Sequence, residues 1–336
     1  MFFSVLLLAL PALALPLDDA TDATTANITE RAASSPIMGG LNFPDPSVIR
    51  MADGWHAFAT NAFVDGKRIH VQVANTPDFK NWNYRRGYDA MPNLPDWIDK
   101  TSPRLWAPDV NQLPNGKFIM YYTAAMASKP TLHCVSYAIS DHVEGPYSSG
   151  PAQPWVCPTD KGGAIDPSGY LDRSGSRWVV YKVDGNAIGH GGVCGNTLAP
   201  IVPTPIMLQQ VDATDGITKI GSPIQLITNG KWDGPVVEAP SLTKLGDRYV
   251  LFFSSNCFAT TKYDVSYATS THITGPYTKY GPLFVTGSRG MTAPGGLDIA
   301  VNGDHVIWHA NIGSGRASFT GVLSMSGNDV RVISTS

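Results

Sequence analysis

Ala107-Pro108-Asp109-Val110-Asn111-Gln112-Leu113-Pro114-Asn115-Gly116-Lys117-Phe118-Ile119-Met120-Tyr121-Tyr122 reads as a proline, a short apolar strand, an Asn-Gly hairpin turn and an aromatic strand. The unit recurs. Its opening returns as Asp45-Pro46-Ser47, Asp166-Pro167-Ser168, Glu238-Ala239-Pro240-Ser241 and Ala293-Pro294-Gly295, which places the prolines 62, 59, 73 and 54 residues apart. Turns follow at Asp53-Gly54, Asn115-Gly116, Ser174-Gly175, Gly246-Asp247 and Asn302-Gly303, the glycine lying 8, 8, 8, 6 and 9 residues past the proline. An aromatic or β-branched strand comes next each time, and third strands are legible at 69–74, 135–138 and 265–268. Five units of about 60 residues, each supplying four antiparallel strands, predict an all-β, five-bladed β-propeller in a single domain spanning 37–336. A β-sandwich with similarly spaced turns is the alternative.

Composition agrees with many short strands: 33 Gly, 26 Pro, 8 Trp, 13 Tyr and 12 Phe leave little room for long helices. The net charge of −3 comes without any basic run, which excludes a nucleic-acid partner and suits a neutral substrate. Residues 1–14 carry an apolar run too short to span a bilayer and then Ala12-Leu13-Ala14, the pattern of a signal peptide. Residues 15–36, rich in Thr, Ala, Asp and Ser, read as a flexible leader or propeptide bearing the sequon Asn27-Ile28-Thr29. The expectation is a secreted, extracellular monomer with no membrane partner.

Cys134, Cys157, Cys194 and Cys257 lack C-x-x-C spacing, so in an exported chain they predict disulfides and not zinc. Three pairings exist. The expected one is Cys134 with Cys157, closing a local loop, and Cys194 with Cys257; free buried thiols are the alternative.

A propeller starts the inner strand of every blade at one face beside the axis, so acids far apart in sequence meet there. Asp45, Asp166 and Glu238 are 121 and 72 residues apart, whereas Ala107, Ala239 and Ala293 precede the other prolines. Glycosidic hydrolysis needs one carboxylic acid for the leaving oxygen and one carboxylate to activate water or attack directly, with a third available to separate their pKa values. A single Asp-Pro-Ser would merely cap a turn. Three converging acids favour catalysis. Asp109 reads as structural, and nothing in the sequence gives Asp298 a role.

At these residues the chain resembles glycoside hydrolase family 43, in its fungal secreted branch, over residues 40–320. The resemblance rests on Asn42-Phe43-Pro44-Asp45-Pro46-Ser47-Val48, Leu105-Trp106-Ala107-Pro108-Asp109-Val110, Gly163-Ala164-Ile165-Asp166-Pro167-Ser168, Val237-Glu238-Ala239-Pro240-Ser241-Leu242 and Ile307-Trp308-His309-Ala310. It implies an inverting enzyme with Asp45 as general base, Glu238 as general acid and Asp166 orienting Glu238 and raising its pKa. Inversion sets the base and acid carboxyls about 6.5–9.5 Å apart. The resemblance makes Trp106 a subsite wall, with a core tryptophan as the alternative, and Arg316 a contact of the bound sugar, with surface placement as the alternative. His309 matches an axial histidine that in some members binds calcium or another ion; a satisfied core histidine is the alternative, and no cofactor is required. The implied substrates are oligo- or polysaccharides of plant cell walls, arabinan or arabinofuranosyl side chains first and β-D-xylosides next. A sugar-binding propeller without catalysis is the rival from another class. A retaining fructan-type hydrolase ranks last, because Ala239 and not Cys follows Glu238.

Overall fold

A computed structural model describes residues 34–313 and 315–335, and the expected signal peptide and the sequon at Asn27 lie outside the described residues. Of the expected leader only 34–36 are described; there the Ser34 N–H donates to the Arg289 carbonyl at 3.1 Å. The repeat becomes five four-stranded antiparallel sheets. Blade one is Ser47–Met51, Gly54–Ala59, Gln72–Thr76 and Asn83–Tyr84; blade two is Trp106–Gln112, Phe118–Met126, Lys129–Ser140 and Ser148–Ser149. Blade three is Ala164–Leu171, Arg177–Val183, Ile206–Val211 and Lys219–Ile227, and blade four is Val237–Leu245, Arg248–Ser255, Asp264–Ser270 and Thr278–Phe284. Blade five is Gly295–Ile299, His305–Ile312, Gly315–Ser326 and Asp329–Thr335. Helical structure among the described residues is confined to short 3₁₀ turns, and no helix is long and apolar enough to cross a membrane.

Second-strand residues alternate between the two neighbouring blades, as the period of two requires. Tyr122 packs with Phe58 of blade one while Tyr121 packs with Val179 of blade three. Phe253 joins Val180 of blade three, and Phe252 joins Trp308 of blade five. Ile307 meets Trp55 and Ala57 of blade one, closing the ring. The aromatic richness of the sequence is therefore the filling of the wedges between blades. The N-terminal segment is also laced to blade five: the Phe43 N–H donates to the Arg316 carbonyl at 2.8 Å, and the Ser318 hydroxyl donates to the Phe43 carbonyl at 2.6 Å.

In blades two to five the inner strand opens on a bulge, where two residues oppose one on the partner, while blade one pairs in even register from Ser47↔Phe58. Pairing jumps from Trp106↔Thr123 to Asp109↔Tyr121, from Ile165↔Lys182 to Ser168↔Val180, from Glu238↔Ser254 to Ser241↔Phe252, and from Gly295↔His309 to Asp298↔Ile307. The first residue of the bulge, and its counterpart just before the strand of blade one, is left-handed: φ is 50° at Asp45, 43° at Ala107, 54° at Asp166, 50° at Ala239 and 57° at Gly296. This corrects the expected phase of blade five. Its unit is Gly296-Leu297-Asp298 and not Ala293-Pro294-Gly295: Ala293 is left-handed too and its N–H goes to Thr286, but the jump in pairing and the lining of the axis fall at Gly296, and proline only marks that place in the other four. Counted from Leu297, the turn glycine Gly303 falls six residues on, as in blade four.

The capture passes around the ring. A second-strand side chain of one blade, or the residue just after that strand, accepts the bulge N–H of the next. Thr60 Oγ1 takes that of Ala107 (2.9 Å), Thr123 Oγ1 that of Asp166 (2.9 Å), Ser254 Oγ that of Gly296 (2.9 Å) and His309 Nδ1 that of Asp45 (3.0 Å). Blade three carries Lys182 at this position, which has no acceptor, and Asp166 Oδ2 takes the Ala239 N–H instead at 2.9 Å. Thr123→Val keeps the shape and orphans a buried N–H, so it should cost about 1–3 kcal/mol, read as a lower denaturant midpoint at unchanged slope.

Two local expectations are settled here. The third strand of blade one begins at Gln72 and not at residue 69, since the Asp89 carboxylate accepts the N–H groups of His70 (2.9 Å) and Val71 (3.1 Å) and takes them out of the ladder. Ile69 instead ends a separate hairpin, Ala62–Val64 with Lys67–Ile69. The disulfides pair as expected, Cys134 with Cys157 and Cys194 with Cys257.

Candidate active site

The bulges surround a channel on the propeller axis, lined by the triplets that begin at Asp45, Ala107, Asp166, Ala239 and Gly296. Asp45 is gripped there from two sides. Its Oδ1 accepts from Arg316 Nη1 at 2.6 Å, and its Oδ2 accepts from Arg316 Nη2 at 3.1 Å and from the Thr60 hydroxyl at 2.7 Å. Burial alone would raise the Asp45 carboxyl, but the Arg316 charge and the Thr60 hydrogen bond outweigh it and hold the group below its ordinary range.

His309 stands behind Asp45, fully buried. Because Nδ1 accepts the Asp45 N–H, the imidazole is neutral with its proton on Nε2; burial first, and the nearby Arg316 charge second, bring its pKa down to about 3. Nδ1 also lies 3.5 Å from Asp45 Oδ1, but a neutral ring makes no ion pair there. Gly296 packs against it so closely that a Cβ would sit 2.7 Å from Cε1. In this arrangement the ring has no lone pair left for a cation, and the Arg316 guanidinium lies 3.5 Å from Nε2, so an ion held by His309 does not fit. Among the described residues no three His, Cys, Asp or Glu side chains converge on a metal position.

Glu238 precedes the bulge of blade four and reaches Lys182, whose Nζ is 2.9 Å from Glu238 Oε2 and 3.0 Å from Asp184 Oδ1. Lys182 is fully buried. Burial would lower its pKa, yet Asp184, Glu238 and Asp166 together push it up, so the ammonium is permanent. Asp166 is lifted to about 8, by burial first and by the Glu238 charge second, against the pull of Lys182. Lifted in this way, Asp166 keeps its proton at neutral pH beside Glu238, whose Oε2 is bound by Lys182, while Asp45 is ionised.

Asp109 and Asp298 hold the third place of their triplets and tie blades together. Asp109 Oδ2 accepts the Gly169 N–H of blade three at 2.5 Å, and Asp298 accepts the Ser241 hydroxyl of blade four at 2.7 Å and the Val48 N–H of blade one at 2.8 Å. Trp106 is half-buried, one face stacked on His133 with ring centroids 4.2 Å apart. Arg316 is no free surface group: besides Asp45, its guanidinium carbon lies 5.7 Å from the centre of the Phe258 ring.

The model of the family described as glycosyl hydrolases family 43 matches residues 33–312. The chain belongs to glycosyl hydrolase family 43. Two family 43 relatives are named as extracellular endo-α-(1→5)-L-arabinanases. That of Thermotoga petrophila is 29% identical over 41% of this chain and 33% of its own length, and arabinanase 2 of Bacillus subtilis is 27% identical over 44% and 34%. The matched part of this chain spans about a third of the length of these curated relatives. A solved thermostable family 43 glycoside hydrolase superposes with a TM-score of 0.72 over 90% of this chain and 96% of its own, at 21% identity, which speaks for the fold alone.

Within this family 43 framework, reading the sequence did not single out Lys182, Thr60 or Tyr263. Lys182 left one trace, a lone cation in the apolar strand Trp178-Val179-Val180-Tyr181-Lys182-Val183. Tyr263, fully buried, stacks parallel to His309 at 6.1 Å and fills the space where Gly295 has no side chain. No sequence signal marks it, because the contact crosses from blade four to blade five.

Proposed function

We propose that this family 43 chain hydrolyses pentosyl linkages of plant cell-wall polysaccharides, α-L-arabinofuranosyl linkages first, with inversion at the anomeric carbon. The observation that carries the reading is the separation of protonation states: an ionised Asp45 held by Arg316 and Thr60, and a buried Asp166 that keeps its proton beside Glu238. Asp45 removes a proton from water as the water oxygen bonds to the anomeric carbon. Glu238 passes a proton to the leaving oxygen as the glycosidic C–O bond breaks, and Asp166 makes that proton good from its own carboxyl. Arg316 and Thr60 fix Asp45, and Trp106 offers its open face to a sugar ring. No ion enters the scheme. The arabinanase names of the relatives support arabinan, and their extracellular description agrees with export through residues 1–14. We take the working unit to be a monomer.

Product analysis on arabinan and arabinoxylan, with the anomeric configuration followed by NMR, tests this. The first-formed product should be the inverted anomer; retention would overturn the scheme, release of xylose alone would move the substrate to β-xylosides, and binding without turnover would leave a lectin-like propeller. Because Asp166 loses its proton as pH rises through about 8, kcat/KM should fall above that pH.

A further inference from the structure

On the blade-three and blade-four side of the site lies a groove of about 800 Å³, within the usual size of ligand pockets. It is built from three stretches: the loop after the second strand of blade three, the link into blade four at 229–235, and the loop that follows Ser255. These walls are fixed. The Cys194–Cys257 disulfide pins the first stretch to the third. Asn196, fully buried, donates to the carbonyls of Val202 and Pro235, both at 2.8 Å, and accepts the Val202 N–H at 2.9 Å. The Asn256 N–H donates to the Asp233 carbonyl at 2.7 Å, while Asp233 accepts Lys279 Nζ at 2.6 Å.

The lining mixes half-exposed apolar side chains, Val193 at 46% and Ile201 at 45%, with the amides and hydroxyls of Asn229, Asn256 and Thr260. A sugar presents the same mixture, C–H faces and hydroxyl groups. Two of its lining residues are chain neighbours of the site. Pro235 lies three residues before Glu238, and Cys257 is next to Phe258, whose ring rests against the Arg316 that holds Asp45.

We propose that this groove binds further sugar residues of the pentosan chain whose bond is cut at Asp45 and Glu238, which makes the enzyme selective for long chains over short glycosides; the proposal rests on the pentosidase reading above. Being held open by a disulfide and buried amides, the groove receives a chain without first paying to order its own loops.

The test uses Val193→Trp, which fills the groove, and Ile201→Trp, on another stretch of the lining. Two ratios are read: kcat/KM on an arabino-hexasaccharide over that on an aryl arabinofuranoside, and the Kd of the hexasaccharide over that of the disaccharide by calorimetry in the Glu238→Gln background. Each tryptophan should lower the chain-length preference about tenfold in both, the loss of one good contact cluster. Unchanged ratios in folded variants would overturn the groove. Failure of the pentosidase reading looks different: wild type then turns over none of these substrates, while the calorimetric ratio still reports on the groove. Absence of any chain-length preference in the wild type sinks the groove whichever way turnover goes.

Discussion

Asp45→Asn and Glu238→Gln should each lower turnover of a pentosan by about 10²–10⁴-fold with the melting transition preserved, and the two should then part company on the leaving group. In the proposed scheme Glu238 supplies a proton to the departing oxygen. With a dinitrophenyl glycoside, whose phenolate leaves without one, Glu238→Gln should recover most of its activity. Asp45→Asn should not, because the water still lacks a base. The reverse pattern would exchange the roles of the two acids. Neither variant is expected to disturb the fold: in Glu238→Gln, Lys182 keeps Asp184 at 3.0 Å, and in Asp45→Asn the half-exposed Arg316 keeps solvent and the Phe258 face.

Lys182→Met should be the most damaging single change to stability. It removes a fully buried cation that two carboxylates share and leaves Glu238 and Asp184 buried without their partner, at a cost of about 3–5 kcal/mol. The effect on the reaction has a definite sign. The Lys182 charge holds the Asp166 carboxyl down; without it Asp166 keeps its proton to higher pH, so the alkaline limb of kcat/KM moves above the wild-type position near 8. Denaturant unfolding and a pH–rate profile read the two consequences separately. Adding Asp184→Asn to Lys182→Met should return part of the lost stability, since one of the two stranded charges is then gone. A limb that stays in place while stability collapses would make Lys182 a purely structural pin.

The propeller was legible in the sequence because its signals are local and repeated: a left-handed opening marked by proline in four blades, a glycine turn at similar distance, an aromatic strand. Where the fifth blade met the same backbone demand with Gly296 and no proline, Pro294 two residues upstream drew the reading out of phase. Asp45 and Asp166 were visible for the same local reason, as acids in a slot that alanine or glycine fills elsewhere. Lys182 was not, since its meaning depends on the loss of a cap: Thr60, Thr123, Ser254 and His309 look unrelated until the register lines them up. His133 under Trp106 is a contact between two strands of blade two, and Tyr263 beside His309 one across a blade boundary; no spacing rule reports either.

The bond from the Asp45 N–H to His309 joins residues 264 positions apart. During synthesis the ribosome delivers Asp45 early and His309 and Arg316 near the end, so a nascent chain already bearing all three acids still lacks the peg and the counter-charge that ready the first of them. The surroundings of Asp45 are thus completed only by the last blade, and a chain ended before His309 cannot form them.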